Sequence, residues 1–141
     1  MRKTLLILLV ILSMLLLVAC GGGGDEEAAD AGSSIGNAAN GEKLFNQVTI
    51  GTANAPGCVT CHSLEPDVVL TGPSQYDVAV RAVGRVPGMS AEDYIHESIV
   101  NPDAYVVEGF EPGVMYQNFG TELSESEIND LVAYFMTLDG K

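Results

Sequence analysis

The clearest pattern of apolar and polar positions lies near the end of the chain. Ile128, Leu131, Val132, Phe135 and Leu138 recur at helical spacing and stop before Gly140. Ser124 and Glu127 stand ahead of them at the Ser-x-x-Glu spacing of a capping box, so a helix is expected from that point on. A second stripe, Tyr94, Ile95 and Ile99, follows Ser90 as cap, with Asp93 at the third helical position. Asn101-Pro102 ends it, because the residue before a proline is kept out of the helical region. A third helix is expected over about Asn40 to Val48. Asn40 would be its N-cap, Glu42 would lie in the first turn where the helix dipole favours an acid, and Leu44, Phe45 and Val48 would share a face. Gly72-Pro73 marks a turn, after which a short helix is expected from Ser74 to about Ala82. Pro102 to Thr121, "PDAYVVEGFEPGVMYQNFGT", has no sustained period, and a long irregular segment in a small domain is usually functional. No alternating strand pattern competes, so the domain reads as all-α.

The start of the chain has a different pattern. After Arg2 and Lys3 comes an almost purely apolar run, Leu5 to Ala19, shorter than the roughly 20 residues that span a bilayer as a helix. It reads as the apolar region of a signal peptide over residues 1–19; an uncleaved anchor is the alternative. "LVAC" closes the run and resembles a bacterial lipobox, which implies that Cys20 is lipidated and becomes the first mature residue. Either reading ties the chain to the extracytoplasmic face of a membrane, and acyl chains contribute about 0.8 kcal/mol per buried methylene. Residues 20–37, rich in Gly, Ala, Ser and acid, read as the lipidated cysteine and a flexible tether. Residues 38–141 are then one small domain.

Charge narrows the partners. The chain has 6 basic residues against 19 acidic ones, a net −13, and loss of Arg2 and Lys3 with the signal would take this to −15. Phosphate binding needs the opposite sign, so a nucleic-acid partner is excluded. A basic protein surface is the natural complement.

Only three cysteines occur in the chain, two of them in "GCVTCH" at Cys58 and Cys61. Outside the cytoplasm a disulfide is the default pairing, and a redox-active C-x-x-C pair is one form of it. Such redox motifs usually follow a strand in a βαβ pattern, which this chain lacks. A zinc site would need about four ligands, and only Cys58, Cys61, His62 and the distant His96 offer themselves. The reading that uses all three motif residues is c-type haem attachment. Two thiols a helical turn apart add to the two vinyl groups, and the adjacent His62 offers its imidazole to the iron. His96, in "YIHES", is either an ordinary surface histidine or a second iron ligand.

Taken together, these features resemble the class I cytochromes c: a first helix with Gly41 and Phe45, "CVTCH", Gly72-Pro73, a methionine loop around Met115, and a last amphipathic helix with Tyr134 and Phe135. The resemblance implies an all-α fold of about three to five helices around one covalently attached haem c. In it the first and last helices cross, with Gly41 allowing close approach. Met115 would be the second axial ligand, ahead of Met89 and Met136, because it lies in the Pro/Gly-bounded loop before the last helix. Proline often follows the ligand in the family, and this chain has Tyr116 there. The resemblance also gives the carbonyl of Pro73 to the imidazole N–H of His62, although Gly72-Pro73 also reads as a plain turn. It gives an arginine, Arg81 or Arg85, to a haem propionate, against a solvated helix face.

One-electron transfer in a respiratory or photosynthetic chain is the expected function, with no enzymatic step. A haem enzyme or gas sensor with an open iron site is the alternative that Met115 ligation would exclude. As an anchored single-haem domain, the chain also resembles the monohaem cytochrome subunit of bacterial alternative complex III. That resemblance implies redox partner proteins with a basic docking surface, or a place within a quinol-oxidising membrane complex.

Overall fold

The computed structural model of the protein describes residues 36–141. The expected signal peptide, the expected lipidation at Cys20 and nearly all of the expected tether lie outside these residues. Five α-helices occur among them: α1 (Ala38–Phe45), α2 (Val78–Ala82), α3 (Ala91–Val100), α4 (Phe119–Glu122) and α5 (Glu125–Phe135). A two-stranded antiparallel hairpin, β1 (Thr49–Ile50) and β2 (Ala55–Pro56), and a 3₁₀ turn at Cys58–Thr60 follow α1.

The most extensive contact is between α1 and α5. Their backbones meet at Gly41, where an added Cβ would lie 1.9 Å from the Asp130 carbonyl oxygen and 2.7 Å from the Tyr134 Cβ. Only a residue without a side chain permits that approach. Phe45 fills the crossing and is fully buried, its ring 5.7 Å from Tyr134 and 5.8 Å from Phe135 in tilted and edge-on arrangements. Such aromatic pairs contribute about 0.5–1.5 kcal/mol beyond their area. Ile128, Leu131 and Val132 of α5 complete the core under α3, whose Tyr94, Ile95 and Ile99 are buried as the periodicity predicts.

The caps of α3 and α5 match expectation. Ser90 Oγ accepts the Asp93 N–H at 3.0 Å. Ser124 and Glu127 form the full capping box. The other ends differ. Helix α1 begins two residues early because Asn37, not Asn40, is its cap: the Asn37 side chain accepts the Asn40 N–H at 3.0 Å. Asn37 also donates its own N–H to Asp130 Oδ1 at 2.7 Å, pinning the start of α1 to α5. Glu42 therefore lies beyond the first turn, and Val48, expected on the apolar face, follows the helix and is 70% exposed. Helix α2 starts only at Val78, because Ser74 is spent on a turn, donating to the Glu65 carbonyl and accepting the Tyr76 N–H.

The hairpin and α4 are the elements that no sequence pattern announced, being two and four residues long. Glu122 joins them: its Oε2 accepts from Thr52 Oγ1 at 2.6 Å and from the Ala53 N–H at 2.8 Å. The Thr52 hydroxyl, then the Ala53 N–H, hold the Glu122 carboxyl below the usual range. The hairpin leads directly into Gly57, whose N–H donates to the Val48 carbonyl at 2.9 Å. A Cβ there would lie 1.8 Å from the Gln47 carbonyl oxygen, so glycine is what lets the cysteine motif start so close to α1.

Candidate haem site

The motif begins on the 3₁₀ turn. The N–H groups of Cys61 and His62 both donate to the Cys58 carbonyl, at 3.1 and 2.9 Å, and the Thr60 hydroxyl closes onto the Gly57 carbonyl at 2.6 Å. The turn brings Cys58, Cys61 and His62 onto the wall of one cavity of about 550 Å³, within the size range of small-molecule and cofactor sites. Both cysteines are free and half-buried. Burial, with a lesser contribution from Cys61, raises the Cys58 thiol to about 11 against a smaller lowering by its backbone, so it is held as S–H at neutral pH.

Across the cavity floor, Gly72 carries the imidazole of His62. A Cβ at Gly72 would lie 2.4 Å from His62 Cε1 and 2.8 Å from Nδ1, so the ring rests directly on the backbone. The Gly72 N–H donates to the Cys61 carbonyl at 2.8 Å, which fixes this strand of chain beneath the motif. His62 Nδ1 lies 2.8 Å from the Pro73 carbonyl oxygen, a distance that assigns the Nδ1 proton to that bond. Gln75 is a partner that sequence reasoning missed. Its side-chain nitrogen lies 2.9 Å from Nδ1 and 3.3 Å from the Pro73 oxygen. Because an Nδ1–H bonded to Pro73 can only donate, Gln75 serves as a second acceptor when its amide is turned with the oxygen toward the ring, and that arrangement leaves Nε2 as the nitrogen with an available lone pair. Burial lowers the His62 pKa against the opposing Pro73 bond, which keeps the ring neutral and fit to coordinate a metal.

The remaining wall is mostly apolar: Tyr94, Ile95, Ile99, Leu123, Leu131 and Phe135 line it. All three methionines in the described residues pack against the core, and of them only Met115 also lines the cavity. His96 is outside the lining and meets Glu125 Oε1 at 3.3 Å on the surface. Among the described residues no group of three His, Cys, Asp or Glu side chains is gathered to hold a metal, and His96, the fourth zinc candidate, is not brought to the other three. Arg81 lines the cavity but is engaged: its Nε donates to Asp77 Oδ1 at 2.5 Å, and its Nη2 donates to the Ser74 carbonyl. Arg85, half-buried on the same wall, makes no salt bridge among the described residues.

The donor set therefore fits a haem attached through two thioethers: two free cysteines on one wall, an imidazole with its outer nitrogen satisfied, and a large apolar wall. A family model for cytochrome c matches residues 38–139. This chain belongs to the cytochrome c family. Cys58 and Cys61 occupy the attachment positions of the cytochrome motif, and the cofactor is covalently bound haem c. The haem supplies a ferrous/ferric couple, and the cytochrome is accordingly a haem-based electron carrier. What the chain contributes is a covalent hold, an oriented imidazole and a largely apolar wall.

Proposed function

We propose that this protein is a monohaem class I cytochrome that carries single electrons with His62 and Met115 as axial ligands. It is anchored through acylated Cys20 on the extracytoplasmic face of a bacterial membrane and serves a respiratory or photosynthetic chain. The observation that carries the ligand assignment is the position of Met115 on the cavity wall, which neither Met89 nor Met136 lines. Thioether ligation raises the potential and closes the coordination site that an enzyme or gas sensor would need. Pro73 orients His62 through the Nδ1 bond. Arg85 meets a haem propionate, while Arg81, held by Asp77 and Ser74, lines the same region and stiffens the turn after Pro73. The partners are redox proteins with a basic docking surface, or neighbours in a quinol-oxidising assembly like alternative complex III.

The deciding experiment compares Met115→Ala with Met89→Ala in the holoprotein. In Met115→Ala the weak sulfur-to-iron charge-transfer band of the oxidised form should vanish, the potential should fall and imidazole should bind. The same losses in Met89→Ala alone would refute the assignment. For the anchor, mass spectrometry of the native protein should find an acylated Cys20 at the N-terminus, and a retained Met1 would exclude it.

A further inference from the structure

We propose that Asp103 and Gln117 form a clamp that sets the position of Met115, a role that rests on Met115 being the axial ligand. The loop around Met115 has few other polar ties. Its backbone ties among the described residues are confined to the tight turns at 112–113 and 117–118. Among the described residues, all the side-chain hydrogen bonds made within residues 111–117 run through Asp103 and Gln117. Asp103 Oδ1 accepts the Gly113 N–H at 2.9 Å and a Gln117 Nε2 hydrogen at 3.3 Å. The other Nε2 hydrogen of Gln117 goes to the Met115 carbonyl at 2.8 Å.

The clamp is therefore placed symmetrically in sequence, gripping the chain two residues before the methionine and two residues after it. Its fixed jaw is Asp103, which follows α3 within a turn closed by the Ala104 N–H on the Asn101 carbonyl at 2.9 Å. Asp103, Gly113 and Gln117 all line the cavity, so the bonds form at its wall. Gly113 has φ 75°, which lets the chain reverse there and turn its N–H toward the carboxylate. Packing of Met115 and Tyr116 against the core supplies the remaining hold, with Tyr116 edge-on to Phe119 at 5.1 Å. Packing resists removal of the side chains, but the bonds to Asp103 resist sliding of the backbone along the wall. Asp103 acts as an acceptor, so an amide oxygen in its place should serve equally well.

Four holoprotein variants test the clamp: Asp103→Ala, Asp103→Asn, Gln117→Ala and Met115→Ala, each compared with the wild type. The readouts are the sulfur-to-iron charge-transfer band, the reduction potential and the affinity of the ferric form for imidazole. One lost hydrogen bond corresponds to roughly a tenfold change in an equilibrium. Asp103→Ala and Gln117→Ala should each weaken the band, lower the potential and tighten imidazole binding about tenfold. Asp103→Asn should restore all three toward wild type. If Met115→Ala abolishes the band while Asp103→Ala and Gln117→Ala leave the band and the imidazole affinity unchanged, the clamp is wrong and the ligand assignment stands. An Asp103→Asn protein as impaired as Asp103→Ala also overturns it. A band that survives Met115→Ala overturns the ligand assignment itself, and the clamp with it. Gln117 is an exposed side chain, so its variant reports even if Asp103→Ala fails to fold.

Discussion

At the scale of single residues, the site depends on where side chains are missing as much as on where they are present. Gly72 has an ordinary backbone conformation, so its requirement is one of space: the His62 ring occupies the volume a methyl group would need. The ring cannot swing away cheaply, because Nδ1 is bonded to the Pro73 carbonyl and the motif turn holds the His62 backbone. Gly72→Ala should therefore break the Nδ1 bond and cost about 1–3 kcal/mol through overpacking. Proton NMR of the reduced cytochrome checks this. The Nδ1–H resonance, protected in the wild type, should exchange with solvent at least about tenfold faster in the variant. An unchanged resonance would mean that the backbone yields instead of the ring. The attachment motif itself was legible because chemistry fixes the spacing of its three residues. Gln75 and Asp103 were not, since a single polar residue in an irregular segment carries no periodic or spacing signal until the fold brings its partner near.

At the scale of elements, helices were legible where a stripe and a cap agreed, as in α3 and α5, and their caps stand at Ser90 and Ser124. The start of α1 was not, because Asn37 and Asn40 are chemically equivalent cap candidates and the choice is made by Asp130, 93 residues away. The hairpin and α4 escaped notice because two to four residues cannot express a period. Their hold is tertiary: Glu122, at the end of α4, binds the hairpin loop through Thr52 and Ala53. The α1–α5 crossing is where the sequence and the packing bear most directly on each other. Alanine is a better helix former than glycine by about 1 kcal/mol, so an exposed Gly41→Ala change would stabilise α1. Here the added Cβ would fall 1.9 Å from the Asp130 carbonyl, against backbone that cannot rotate aside. The overpacking outweighs the propensity, and a net loss of about 2–3 kcal/mol is expected, read from denaturant unfolding of the holoprotein. Equal or greater stability in the variant would show that the two helices can separate without loss.

At the scale of the whole molecule, charge is the property that no packing argument supplies. The chain carries −13 with only 6 basic residues, and the proposed cleavage removes two of those. A negative field of this size attracts a basic partner from beyond contact distance and accelerates encounter, by tenfold or more in strongly steered pairs, roughly. Exposed charges are screened beyond about 8 Å at physiological ionic strength, so salt removes the long-range part while leaving apolar contacts almost untouched. The surface offers apolar contacts as well: Val68, Val69 and Leu70 are exposed on the segment leading to Gly72 and the His62 floor. The two kinds of surface predict different salt behaviour. With a mobile basic partner, the bimolecular electron-transfer rate of this cytochrome should fall about tenfold from 0.01 M to physiological ionic strength. Stopped-flow mixing across a salt series measures it, with the potential followed in parallel so that driving force is separated from encounter. A rate that does not move with salt would rule out electrostatic steering and transfer the docking role to that apolar segment, as expected of a domain clamped inside a larger assembly.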